Sequence, residues 1–99
     1  AATKKISETN KQFKLAEDDV NTWGYKLLRQ NRLPDALEVF KLNVYLYPES
    51  ANAFDSLGEM YAELGEIKLA ITNYERSLKL DPENSNAEVQ LKKLRSLAR

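Results

Sequence analysis

A chain of 99 residues is enough for one domain, and 42% apolar with 30% charged residues is an ordinary balance for a folded chain. Cys and His are both absent, which excludes thiol and imidazole catalysis, disulfides and the usual Cys/His zinc sites. The 15 bases and 15 acids cancel but are unevenly placed: both ends are basic and the middle is acidic, unlike the one-sided basic excess of a nucleic-acid binder.

Residues 1–16 carry four Lys and one Glu. Phe13 and Leu15 flank Lys14, a spacing that predicts a short extended lead-in, and Ile6 is the only large apolar residue before them. This stretch is expected to be a leader, partly ordered at most. It has no secretion-signal form and does not begin with Met, so the chain reads as a processed product or a piece of something longer. No apolar run approaches the ~20 residues of a membrane span. The compartment stays open between cytoplasmic and exported.

A helix is predicted over 17–30, with Glu17, Asp18 and Asp19 at the positive end of its dipole and Arg29 in its last turn. A second runs over 34–46: Pro34 lies in its first turn, where a missing N–H does no harm, and Pro48 follows its end. A third covers 51–64 with Ser50 as N-cap, and a fourth covers 67–79 after Gly65. Asp81-Pro82-Glu83-Asn84 reads as a turn. The last helix covers 86–97, with Ser85 as N-cap and Glu88 three residues on, the capping-box spacing. Ala87, Leu91, Leu94 and Leu97 form its apolar stripe, against Gln90, Lys92, Lys93, Arg95 and Arg99 elsewhere. That pattern fits a solvating cap; the face is small for a membrane-surface helix.

An offset of 34 residues superposes the middle of the chain on itself. Val20 falls on Phe54, Trp23 on Leu57, Gly24 on Gly58, Leu27 on Tyr61, Ala36 on Ala70, Phe40 on Tyr74 and Pro48 on Pro82. The units are therefore 17–50 and 51–84, followed by a capping helix over 85–99. Gly24 and Gly58 are small residues where two helices cross, despite a helix cost near ~1 kcal/mol relative to Ala. Ala36 and Ala70 are their small counterparts. Trp23, Leu27, Phe40, Phe54, Leu57, Tyr61 and Tyr74 are the large groups expected to interdigitate around them.

The run Phe54-x-x-Leu57-Gly58-x-x-Tyr61, Ala70-x-x-x-Tyr74, Pro82 resembles the tetratricopeptide repeat in length and residue types, and the first unit matches it more loosely. The resemblance implies an all-α, α–α superhelix of two hairpins plus the cap. It also implies a protein–protein interaction module whose concave face is lined by the first helix of each hairpin. Residues expected there are Asp18, Asn21, Tyr25, Leu28, Arg29, Asn52, Asp55, Glu59, Ala62 and Glu63. Asp55, Glu59 and Glu63 recur every four residues and form an acidic stripe, at a small cost from like-charge repulsion. The stripe reads either as a solvated face or as a groove for a basic or N–H-rich peptide, with Tyr25 and Leu28 as apolar contacts. Some members of the family hold a terminal carboxylate with Lys and Asn here; Tyr25, Asp55 and Glu59 argue against that chemistry in this chain.

A looser similarity links Asn21-Thr22-Trp23-Gly24-Tyr25-Lys26-Leu27-Leu28, Phe40-Lys41-Leu42-Asn43 and Asp55-Ser56-Leu57-Gly58-Glu59 to two-repeat tails of bacterial serine hydrolases of β-lactamase-like or esterase type. It implies an accessory domain docked on a hydrolase, in which Asn43 satisfies a backbone group between hairpins. A third alternative is self-association as a weak homodimer through the uncapped N-terminal end. No motif for catalysis, a metal or a cofactor is found, and no nucleic-acid or membrane partner is expected.

Overall fold

The computed structural model describes residues 16–98. Within them lie five helices and no strand: α1 Glu17–Arg29, α2 Leu33–Leu46, α3 Ala51–Glu63, α4 Ile67–Leu80 and α5 Ser85–Leu97. Residues 1–15 of the leader, with Phe13 and Leu15, lie outside the described residues, as does Arg99. α1 packs on α2 and α3 on α4 as hairpins; α2 joins the two through α3, and α5 packs on α4. This is the expected all-α superhelical arrangement, and the helix ends fall within a residue of the sequence reading.

Both hairpins turn in the same way. After α1, Arg32 N–H donates to Leu27 O at 2.9 Å and Asn31 N–H to Leu28 O at 3.0 Å. After α3, Glu66 N–H donates to Tyr61 O at 2.9 Å and Gly65 N–H to Ala62 O at 3.0 Å. These paired bonds form a Schellman motif, which needs a left-handed residue after the helix. Gly65 supplies it at φ 78° and Asn31 at φ 59°. Asn is one of the few non-glycine residues that tolerate that region.

The helix crossings are tight for the reason the small residues implied. A Cβ at Gly24 would lie 2.6 Å from the Phe40 ring, and one at Gly58 would lie 2.9 Å from the Tyr74 ring. Ala36, Phe40 and Ala70 are fully buried, and Tyr74 nearly so. The core has two clusters. Val20, Leu27, Ala36, Val39, Phe40, Leu57 and Met60 form the first; Ala70, Tyr74, Ala87, Leu91 and Leu94 form the second. Tyr61 packs against both, and Phe54 is half-buried with Arg76 over its ring at 5.8 Å.

Three expectations are corrected. Trp23, grouped with the packing residues, is 47% exposed. Its counterpart Leu57 is buried because α2 packs against it, whereas α1 has no described helix in that place. Leu97 is 69% exposed and does not extend the buried stripe of Ala87, Leu91 and Leu94. The cap of α5 is Asn84, whose Oδ1 accepts from Ala87 N–H at 3.2 Å, so Ser85 is already helical. Ser50 caps α3 as expected, accepting from Ala53 N–H at 3.1 Å.

Candidate functional site

The residues expected on the face of the first helices come from α1 and α3, which lie side by side. Asp18, Arg29, Asn52 and Glu63 are exposed, whereas Asn21, Tyr25, Leu28, Asp55, Glu59 and Ala62 are half-buried. Half-burial matters chemically, because such a group is partly stripped of water yet open to a ligand.

Tyr25 anchors the centre. Its ring meets Phe40 edge-on at 5.0 Å, and its hydroxyl lies a long 3.4 Å from Ser56 Oγ, linking α1 to α3. Burial pushes the Tyr25 phenol up to about 12; the Ser56 hydrogen bond opposes this, and the charges of Glu59 and Asp55 add to it. Glu59 lies beside it. Burial raises its carboxyl above the ordinary range, the Tyr25 hydrogen bond pulls it back, and Asp55 and Glu63 push it further up. The Tyr74 phenol is raised by burial first, then by the same carboxylates and Tyr25. Tyr74 therefore belongs electrostatically to this face.

The acidic stripe is not uniform. Asp55 accepts from Asn84 Nδ2 at 2.9 Å and from Asn86 Nδ2 at 3.0 and 3.1 Å. Asn84 also donates to Ser77 Oγ at 2.9 Å, and Ser77 donates to Ala51 O at 2.7 Å. Asp55 is thus a bracket that ties α3 to the start of α5, which leaves Glu59 and Glu63 as the carboxylates facing out. In the first hairpin Glu17 takes the bracket role, accepting from Ser50 Oγ at 2.6 Å and Asn52 Nδ2 at 3.2 Å.

Asn43 departs from its expected role. It is fully buried, and neither its Oδ1 nor its Nδ2 has a hydrogen-bond partner; Asn21 Oδ1 is also buried without one. The backbone-satisfying role belongs to Ser77, at the same place in the second hairpin. Ser56, Asn84 and Asn86 also meet the face, although none of them was expected on it. Extending the 34-residue offset past residue 84 carries Ser50 and Asn52 onto Asn84 and Asn86 and is the signal that finds the last two.

The described residues contain no group of three or more His, Cys, Asp or Glu placed to hold a metal ion, and no helix among them is long and apolar enough to cross a membrane. None of the residues expected on this face lines either of two open hollows. One of about 410 Å³ is lined by Glu17, Leu46, Tyr47, Pro48, Glu49 and Ser50; one of about 320 Å³ is lined by Trp23, Leu27, Arg32, Asp35, Glu38 and Val39.

Residues 51–84 match the family model of the tetratricopeptide repeat. The chain is 31% identical over 67 residues to the chloroplastic tetratricopeptide repeat domain-containing protein PYG7 of Arabidopsis thaliana, covering 68% of this chain and 22% of that protein. The chain therefore spans about a fifth of that relative's length. Among solved structures it resembles the first TPR of Spaghetti (RPAP3) bound to the HSP90 peptide SRMEEVD, with a TM-score of 0.76 and 25% identity over 85% of this chain and 68% of that one. It also resembles the Yersinia enterocolitica type III secretion translocator chaperone SycD, with a TM-score of 0.76 and 18% identity over 90% of this chain and 61% of that one. The all-α, tetratricopeptide-like superhelix is thus supported by the family model and by structural likeness.

Proposed function

We propose that this chain is a protein-interaction module that binds a peptide segment of a partner along the face of α1 and α3, with preference for a basic or N–H-rich segment. The observation that carries the reading is Glu59. It is half-buried beside Tyr25, flanked by Asp55 and Glu63, and its carboxyl is raised, so an approaching cation gains by neutralising a charge already disfavoured there. The solved TPR of Spaghetti holds a peptide, which supports peptide binding on this architecture. That peptide contains two Glu and one Asp; the acidic face here points to a partner of the opposite sign. A non-catalytic role follows the same architecture.

Affinity is expected to be modest. An extended segment advances ~3.3 Å per residue, so two hairpins contact only a handful of residues. The test is titration of a lysine-rich peptide by fluorescence anisotropy against the chain and its Glu59→Lys/Glu63→Lys variant. Reversal of both charges should weaken binding by about tenfold, and by less at high salt. Equal binding by both proteins would make the stripe a solvated surface and nothing more.

The half-exposed Trp23 and its hollow favour a second reading, in which the outer face of the first hairpin docks on something else. The occupant is an adjacent domain, such as a serine hydrolase, or a second copy of the chain. A Ser-x-x-Lys or Gly-x-Ser-x-Gly motif in the parent sequence would support the hydrolase. Sedimentation at high concentration tests the homodimer, which a persistent monomer rules out.

A further inference from the structure

The last helix repeats the first helices of the hairpins. At the 34-residue offset Ala53, Leu57 and Met60 fall on Ala87, Leu91 and Leu94, and all six are buried. The same offset carries Asn52, Asp55, Glu59 and Glu63 onto Asn86, Val89, Lys93 and Leu97. Asn86 reaches across to both carboxylate oxygens of Asp55 at 3.0 and 3.1 Å, which sets this side of α5 against the face of α3. The face of α1 and α3 therefore continues onto α5.

A helix that only solvated the end of the stack would show polar side chains on that continuation. Instead Val89 is 48% and Leu97 69% exposed, with Lys93 between them at four-residue spacing along one line. Lys93 takes part in none of the three ion pairs among the described residues, which are Arg32–Asp35, Lys41–Glu38 and Arg95–Glu75. The face thus changes sign along its length, from carboxylates on α3 to an ammonium set among apolar groups on α5.

We propose that α5 is a third wall of the peptide groove and selects its occupant, which is a bipolar segment of a partner protein. This rests on the groove reading above. The segment carries Lys or Arg over Glu59 and Glu63, and an apolar side chain with a carboxylate over Val89, Leu97 and Lys93. The Asn86–Asp55 hydrogen bonds bring α5 within side-chain reach of α3, and at a separation of ~10 Å and an extended rise of ~3.3 Å per residue cation and carboxylate stand about three residues apart. A purely basic peptide meets repulsion at Lys93, and a purely acidic one meets it at Glu59.

The test is an amide chemical-shift titration of the whole 99-residue chain with capped hexapeptides. The bipolar probes are Gly-Lys-Ser-Leu-Glu-Gly and its reversed order, since the chain direction of the occupant is open; the control is Gly-Lys-Ser-Leu-Lys-Gly. The better bipolar probe should shift Glu59 and Glu63 together with Val89, Lys93 and Leu97, and bind about fivefold tighter than the control. Lys93→Glu, with unchanged helix content, should reverse that preference. Shifts confined to α1 and α3, with the preference indifferent to Lys93→Glu, overturn the third wall and leave the groove reading standing. No shift on any of the three helices with any probe overturns both.

Discussion

Asn43 and Ser77 occupy the same place in successive hairpins and end in opposite states. Ser77 donates to the Ala51 carbonyl and receives Asn84, while the Asn43 amide is buried with no partner. A buried polar group left unpaired costs about 1–3 kcal/mol. Asn43→Ser removes that amide and places a hydroxyl where Ser77 has one, with the Glu17 carbonyl at the place of the Ala51 carbonyl as its acceptor. Urea unfolding should show a gain of about 1 kcal/mol, the lower end of that range, because the smaller side chain gives back some packing. A lowered midpoint would mean that the Asn43 amide is held in a way that stabilises the fold. Glu59 carries a pH signature of known sign. Its folded carboxyl is raised above the ordinary 4.5, so the folded state holds the proton more tightly than the unfolded one. Its contribution is fully present below 4.5 and is lost as pH rises through the folded value. Glu59→Gln should therefore flatten the fall in stability above pH 4.5 and stabilise the fold modestly at neutral pH, as read from thermal midpoints across the range. An unchanged pH profile would place the carboxyl in water.

At the scale of the helix, two opposed terms meet at Gly24. Alanine there would gain about 1 kcal/mol of helix propensity. Its Cβ would also arrive 2.6 Å from the Phe40 ring, on a residue with no exposure to retreat into. Overpacking of that kind costs about 1–3 kcal/mol. Gly24→Ala is accordingly expected to destabilise the chain by about 1 kcal/mol net, with Gly58→Ala milder because its nearest ring atom is 2.9 Å away. Chemical denaturation of the two variants checks both sign and order. The spacing of small and large residues made these crossings legible in the sequence. The Schellman turns were half legible: Gly65 stood out as a helix breaker, while Asn31 did not, because its left-handed conformation follows from the bonds around it more than from its own preference. The cap of α5 was misplaced by one residue for a similar reason. Ser85 and Asn84 both have capping side chains, and the choice went to Asn84, whose amide reaches Asp55 and Ser77 as well as the helix.

At the scale of the molecule the two ends differ. On α5 the offset places Lys92 where α1 and α3 have glycine, so a helix crossing α5 as α4 crosses α3 would meet a side chain instead of a gap. On α1 the Trp23 ring stands half open where Leu57 of α3 is covered. Trp23 is the single tryptophan of the chain, which makes that face directly observable. Its fluorescence should peak at the long wavelength of a water-exposed indole and be quenched readily by acrylamide. A blue-shifted, protected emission would show that the face is covered in solution. In either case the change on adding a partner or raising concentration reports whether that face docks.

The sequence by itself determined the helices, their 34-residue recurrence and the small-against-large crossings. Each of these is written in local spacing: a 3.6-residue turn decides which residues share a face, and a glycine opposite an aromatic decides how closely two helices approach. Only the tertiary structure decided which polar groups meet. Asp55 became a bracket through Asn84 and Asn86, which lie 29 and 31 residues away, and Glu59 was left half-buried beside Tyr25. It also decided that Trp23 is half open and that Val89, Lys93 and Leu97 are exposed on α5. Hydrogen bonds and exposure depend on distances set when whole hairpins stack, and no periodicity along one helix records what the neighbouring helix brings to it.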